Sequence, residues 1–293
     1  MEVELKFQVP PAQRARLRKA VATARARRTR LQSVYADTAD QRLAAAGLAL
    51  RLRKEGRAWV QTLKGRGDGL MQRLEHEVAL PAQRGVPVLD PLRHAGSAAG
   101  AALMLALGGG ELHPVYRTDI QRLHRHVRHG GALIEIAYDH GHILAAGQRA
   151  VVDELEFELL RGPPSALVEL ASRWAVRHGL WWDVRTKSER GYRLAHGLQR
   201  VPAVALPLQD AQGRTLLQVC LAQALPNAAE LASGTGTPEH LRLLDEALQA
   251  LRRLLPDQGI PGPLQGSDVG ALVRSAAFTQ GLLQALARSL PAA

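Results

Sequence analysis

The chain has 293 residues, 46% of them hydrophobic, and a formal net charge of +11. That apolar content supports a packed core and excludes gross disorder, and the length suits one large or two medium domains. The single Cys220 excludes an intrachain disulfide framework and a cysteine-based zinc site, and no apolar run reaches the roughly 20 residues of a membrane span. The positive balance calls for an anionic partner: nucleic acid, a phosphate compound or an acidic surface. Glu2 and Glu4 stand where a signal peptide has its cationic start, so the expected location is the cytoplasm.

The first strand is expected over residues 1 to 9. Glu2, Glu4 and Lys6 alternate with Val3, Leu5 and Phe7, which is period two, one charged face and one apolar face. Pro10-Pro11 ends it and opens a helix to about Ala26. Arg14, Arg16, Arg18, Lys19, Arg25, Arg27 and Arg28 make this region basic, read as a solvated helix face. Leu31 to Asp37 is the second strand, and Ala39 to Leu43 a helical turn. Gly47 to Glu55 and Arg57 to Lys64 form a hairpin about Gly56. Gly65 to Gly69 is a turn and no phosphate cradle, because G-x-x-x-x-G-K-[ST] is missing. Gly69 to Leu80 is the next strand, Pro81 to Pro91 a loop, and Gly96 to Leu107 an Ala-rich helix stopped by Gly108 to Gly110.

Strands are expected at Val115 to Val127 and Ala132 to Asp139, turning at Gly130-Gly131. His124, His126 and His129 are read as exposed at a basic hairpin tip, since no carboxylate or cysteine is interleaved with them. Ile143 to Leu160 holds the last strands, broken near Ala146-Gly147, and Pro163-Pro164-Ser165 opens a helix to His178. Composition shifts at Gln199, and Pro202 and Pro207 frame a linker. From Gly213 only helical spacing remains, interrupted by Pro226 and Pro256. The expected organisation is a domain over residues 1–200 and a separate all-α domain of about three helices over 211–293.

The charged alternation of the first strand returns along the chain. Arg51 and Arg53, then Arg73, Glu75 and Glu77, then Glu154, Glu156 and Glu158 all sit at spacing two, with apolar residues between most of them. A sheet face so charged is wet or holds a charged ligand; in a closed barrel the charges point into the lumen. Mixed carboxylates and cations there point to a metal–polyanion site. Lysine is rare: of 38 basic residues, five are Lys6, Lys19, Lys54, Lys64 and Lys187. Lys6, Lys64 and Lys187 lie within these motifs, and a compact ammonium is not interchangeable with a guanidinium at a crowded phosphate.

The ordered set Glu2-x-Glu4-x-Lys6, Tyr35-Ala36-Asp37-Thr38, Arg51-x-Arg53, Trp59 to Lys64, Arg73-x-Glu75-x-Glu77, Glu154-x-Glu156-x-Glu158 and Thr186-Lys187 resembles the CYTH family over about residues 1 to 198. This family is also called the triphosphate tunnel metalloenzymes. The resemblance implies an α+β fold, a closed eight-stranded antiparallel β tunnel with flanking helices. It implies a triphosphate substrate held with Mg²⁺ or Mn²⁺. The family includes inorganic triphosphatases, thiamine triphosphatases and one class of adenylyl cyclases. Carried over residue by residue, Glu2, Glu4, Glu154 and Glu156 bind metal or position water. Lys6, Arg51, Arg53, Lys64, Arg122 and Lys187 clamp phosphate, and Glu4, Glu156 and Lys187 stand nearest the reaction. Glu75, Glu77, Glu135, Asp139, Arg73 and Glu158 form a second tier that completes the metal shell or pairs with cations. Arg117 has the opposite strand parity to Arg122 and is the weaker candidate.

The C-terminal part resembles a short, degenerate CHAD domain, a helical module that binds polyphosphate. Asp245 stands where that family has His and Leu248 where it has Arg, so a structural role is expected. The leading reading is hydrolysis of inorganic triphosphate to pyrophosphate and phosphate. The alternatives are hydrolysis of thiamine or nucleoside triphosphate, cyclisation of ATP, and non-catalytic polyphosphate binding. A homodimer is left open; nucleic acid and membranes are disfavoured as partners.

Overall fold

The computed structural model describes all residues except Met1, Asp68, Ala82, Arg84, 265–267 and 292–293. The expected strand start at Met1 and the middle of the turn at Asp68 therefore lie outside the described residues. Among the described residues there are nine strands: β1 (Glu2–Gln8), β2 (Arg27–Asp37), β3 (Ala49–Glu55), β4 (Ala58–Arg66), β5 (Gln72–Leu80), β6 (His113–His129), β7 (Ala132–Ala145), β8 (Gln148–Arg161) and β9 (Trp181–Trp182). They make one antiparallel sheet in the order β5-β4-β3-β2-β6-β7-β8-β1. It closes where β1 returns to β5, pairing Glu2 with Arg73 and Val3 with Gln72. The rest of that edge of β1 is covered by β9, Phe7 against Trp182 and Gln8 against Trp181. The result is an eight-stranded tunnel.

Nine helices follow the same chain order: α1 (Arg14–Val21), α2 (Arg42–Ala45), α3 (Ala98–Leu107), α4 (Pro164–His178), α5 (Lys187–His196), α6 (Gly213–Ser233), α7 (Pro238–Leu254), α8 (Val269–Val273) and α9 (Ala276–Ser289), counted among the described residues. The strand alternation explains how they pack. On β8 the odd set Leu155 and Phe157 is fully buried and faces outward under α4. Phe7 meets Phe157 edge-on at 5.8 Å, and Phe157 meets Trp174 of α4 at 6.0 Å. This apolar layer runs without a break from the tunnel wall through α4 into Leu221 of α6, Leu248 of α7 and Leu282 of α9. A second layer, Leu43, Leu50, Leu63, Leu103 and Leu107, seats α2 and α3 on β3 and β4. Hydrophobic burial thus acts on the outside of the tunnel wall, leaving the inside to charge. None of the described helices is long and apolar enough to cross a membrane.

Several boundaries differ from the sequence expectation. The helix expected to run to Ala26 ends at Val21, and β2 starts at Arg27, so Arg27 and Arg28 belong to a strand. The cause is tertiary: β2 pairs with β6 from Arg27 against His124 to Asp37 against His113, and a long ladder outweighs local propensity. The break at Ala146-Gly147 is the β7–β8 hairpin turn; both residues have positive φ, 48° and 74°, as a tight primed turn demands. The Trp181–Trp182 strand was not expected. Pro226 lies inside α6 without ending it, and the Asn227 amide caps the Gln223 carbonyl beside it at 2.7 Å. Pro256 does follow the end of α7. The 201–210 stretch is strapped to α6: the Asn227 side chain holds both backbone groups of Val204, at 3.0 and 2.8 Å, and Gln223 accepts from Leu206 N at 2.8 Å.

Candidate active site in the tunnel

The tunnel encloses a cavity of about 750 Å³, within the roughly 300–1,000 Å³ of small-molecule sites. Its charged lining is sorted into two regions. One lies where β6, β7 and β8 meet the start of α5. Thr186 caps α5, its hydroxyl accepting from Glu189 N at 3.0 Å, and this aims Lys187 inward. The Lys187 ammonium stands 2.9 Å from Asp139 Oδ2, 2.7 Å from Glu154 Oε2 and 2.6 Å from Glu156 Oε1. Arg122 forks onto Asp139 through two bonds of 2.7 Å and reaches Glu156 Oε2 at 2.5 Å. Arg190, one turn beyond Lys187, holds Glu154 Oε1 at 2.5 Å. Burial opposes the ionisation of Glu154, yet Lys187, Lys6 and Arg190 outweigh it and hold the carboxyl at about 2. Burial likewise opposes Glu156, and Lys187 with Arg122 holds it well below the usual range. Lys187, despite its burial, is kept firmly protonated by Asp139, Glu154 and Glu156.

The other region lies where β1, β4, β5 and the end of β8 converge. Glu2 and Glu75 both contact the Lys64 ammonium, at 2.8 and 2.9 Å. They also contact one another. Burial and the hydrogen bond to Glu2 raise Glu75 to about 8, while Glu2, against its burial, is drawn down to about 2 by Glu75 and Lys64. Two carboxylates that share one proton behave in this way. Burial, then Glu2 and Glu135, push Glu158 up to about 7, and burial with Glu156 also raises Glu4. The nearest cation to Glu4 across the β1–β5 seam is Arg73, at 3.8 Å.

The remaining cations line the wall between these regions. Arg51 donates to Tyr35 Oη at 3.1 Å and lies 3.9 Å from both Glu75 and Glu77. Arg53 holds Glu77 at 3.0 Å and Glu55 at 2.5 Å. Strand pairing has thus brought Glu2, Glu4, Lys64, Arg73, Glu75 and Glu158 to one side, and Arg122, Asp139, Glu156 and Lys187 to the other. Glu154 sits apart from the open cavity, fully buried behind Lys187. Lys6 lines the cavity, and its ammonium donates to the Arg185 carbonyl. Arg117 faces outward and is exposed, as its parity requires.

The histidine reading needs correction. Glu135 accepts from His124 Nδ1 at 2.9 Å and from His126 Nε2 at 3.1 Å, and His129 stands 3.2 Å from Glu169. The carboxylate is supplied by the neighbouring strand, where His126 pairs with Glu135, so interleaving within one strand could not reveal it. His126 is exposed, His124 only partly so. Sequence reasoning also missed Arg190. Its signal was available, since Lys187 and Arg190 are three apart on one helix face.

Among the described residues no three carboxylate, imidazole or thiol groups converge as a ready-made metal cage. The donor set nonetheless fits a hard divalent cation. Glu2, Glu4, Glu75 and Glu158 bring hard oxygens with too little positive charge around them, and Glu75 holds a proton where a cation could stand.

Comparison with known proteins gives the following. The CYTH domain matches residues 1–192. An inorganic triphosphatase of Haemophilus influenzae is 29% identical over 167 residues, which are 56% of this chain and 46% of that protein, so the chain spans about half the length of that curated relative. Among solved structures, a Hippeastrum protein described as an adenylyl cyclase candidate with a dominant triphosphatase activity is 19% identical, with a TM-score of 0.49, covering 66% of this chain and 96% of that one. An adenylate cyclase candidate from Bacillus halodurans is 17% identical, with a TM-score of 0.39, covering 73% and 98%.

Proposed function

The chain belongs to the CYTH domain family, and from that premise we propose that it hydrolyses inorganic triphosphate to pyrophosphate and phosphate inside the tunnel, with Mg²⁺ as its metal. The observation that carries this reading is the sorting of charge in the lumen. Arg51, Arg53, Arg122 and Lys187 line one part of the cavity, while Lys64 stands among Glu2, Glu4, Glu75 and Glu158 in the other, where burial and neighbouring carboxylates raise Glu75 and Glu158. A triphosphate brings about four negative charges near neutral pH, each later phosphate ionisation lying near 6. Neither a pure anion binder nor a pure cation site needs both features. A polyanion with a divalent cation needs both.

Arg51 and Arg53 present planar forks to phosphate oxygens, and Lys64 and Lys187 present point charges. Lys187 keeps its proton, so it acts as a fixed cation and not as a base. Glu156, held ionised by Lys187 and Arg122, keeps that cation in place. Glu4, pushed up by burial and by Glu156, is the lumen carboxyl suited to take a proton from the attacking water. Water adds to a terminal phosphorus, and the bond to the bridging oxygen breaks to release pyrophosphate. Glu2, Glu75 and Glu158 would hold the metal, with Glu4 beside them. Bound there, it offsets charge on the phosphate oxygens.

The segment 211–293 is proposed as a structural domain and no polyphosphate site. Leu248 is fully buried in the shared apolar layer, and Asp245 is bonded to Gln249 at 2.8 Å. The test is phosphate release from tripolyphosphate, thiamine triphosphate and ATP, each with Mg²⁺, with Mn²⁺ and with chelator. Tripolyphosphate is expected to give the highest kcat/KM, and chelator to abolish turnover. A higher kcat/KM for ATP or thiamine triphosphate would replace the substrate. No phosphate from any of them would leave a binding protein.

A further inference from the structure

The α5 helix carries charge at both ends. Lys187 opens it and enters the tunnel. Arg193, six residues on, turns the other way and meets Glu230 of α6, Nη1 to Oε1 2.6 Å. Glu230 is 2% exposed. Its other oxygen accepts from the Thr235 hydroxyl at 2.7 Å, and Arg185 approaches the first to 3.7 Å. Arg185 lies just before α5. The buried Asp183 holds its guanidinium at 2.9 and 2.8 Å, Ser233 of α6 accepts from it at 2.8 Å, and its carbonyl accepts the Lys6 ammonium. One buried carboxylate on α6 therefore holds arginines on both flanks of the segment that carries Lys187.

Removing a carboxylate from water is costly, and an apolar residue would dock α6 at least as well. What a buried charge adds is a defined orientation. The geometry points to Glu230 as a positioning residue. From outside the residues that match the family, it fixes α5 and the 183–186 turn, and through them the ammonium groups of Lys187 and Lys6. This rests on the reading of Lys187 as a phosphate-binding cation. An error of about 1 Å at such a group lowers turnover by up to about a hundredfold.

The chain has five lysines, so nitrogen-15 labelling of lysine in the 293-residue chain yields a spectrum simple enough to follow each ammonium. Glu230→Gln is expected to shift the Lys187 and Lys6 signals and to leave Lys19 and Lys54 in place. Arg193→Gln breaks the same contact from α5 and should do likewise, which guards against a folding failure of the first variant. Glu230→Asp, which keeps the charge, should restore the wild-type signals in part. Unmoved Lys187 and Lys6 signals in a folded variant overturn the inference. No substrate is needed for this readout, so it holds even if tripolyphosphate is not hydrolysed; absence of turnover counts against the proposed function alone. With tripolyphosphate, Glu230→Gln should lower kcat/KM about tenfold, and less than about twofold when Lys187 is already Ala, since coupled residues are non-additive. Full additivity also overturns it.

Discussion

The two charged regions of the tunnel solve opposite problems. Where α5 meets β8, Asp139, Glu154 and Glu156 are answered by Lys187, Arg122 and Arg190, with N–O distances of 2.5 to 2.9 Å. Where β1 meets β5, Glu2, Glu4, Glu75 and Glu158 have Lys64 in contact and Arg73 and Arg51 only at 3.8 and 3.9 Å, and Glu75 is raised to about 8. The first region is neutral by the protein's own means and forms a rigid anchor. The second is left short of cation and is the part that a metal would complete. A lumen of uniform composition would have had neither an anchor nor a vacancy of charge.

The largest effect should come from breaking the neutral region. Lys187→Ala takes from Asp139, Glu154 and Glu156 the cation they share, leaving all three carboxylates to Arg122 and Arg190, and removing one partner of a buried ionic cluster typically costs about 3–5 kcal/mol. Urea unfolding measures this; a loss below about 1 kcal/mol would mean that Arg122 and Arg190 suffice alone. Next is Glu4→Gln in the other region. It keeps volume and removes charge, so turnover should fall by on the order of 10²-fold or more while urea stability holds. Turnover unchanged with Mg²⁺ would remove Glu4 from the mechanism.

Metal should stabilise only through the second region. Mg²⁺ at about 100 times its Kd should add about 2.7 kcal/mol in wild type, much less in Glu158→Gln, as followed by thermal unfolding. Equal stabilisation of both proteins would place the metal elsewhere.

The two regions should also answer pH with opposite sign. Glu75 has its folded pKa raised from 4.5 to about 8, so the folded state binds more protons than the unfolded one between those values, and its contribution to stability falls as pH rises through that window. Glu154, lowered from 4.5 to about 2, contributes stability above 4.5 that is lost as pH falls toward 2. The difference in unfolding free energy between wild type and Glu75→Gln should therefore shift in the variant's favour from pH 5 to pH 8. A flat difference would break the comparison. The smallest effect expected is from Lys64→Arg, a charge-conserving change that must fit a fork where an ammonium touches both Glu2 and Glu75; kcat/KM should fall severalfold with phosphate release as the readout.

Much of this was legible in the chain itself. Spacing two placed Glu2, Glu4 and Lys6, Arg51 and Arg53, and Glu154, Glu156 and Glu158 on charged faces, and the strands that carry them are where that spacing put them. The opposite parity of Arg117 and Arg122 was also readable, and only Arg122 faces the lumen. Partnership was not. Nothing local says that His126 faces Glu135, that Lys6 spends its ammonium on the Arg185 carbonyl, or that Glu154 is sealed behind Lys187.

Side-chain periodicity is a property of the backbone, since alternate residues of any strand face opposite sides, and so the sequence by itself determined which face of each strand carries the charge. The charge state of each carboxylate depends on burial and on cations brought in from other elements of the fold, such as Lys64 for Glu2 and Lys187 for Glu154 and Glu156. Ring closure between β1 and β5, the long β2–β6 ladder and the docking of α6 on α5 create those neighbours. Only the tertiary structure could decide which region is neutral and which awaits a cation, because electrostatic energy follows distance through space and not separation along the sequence.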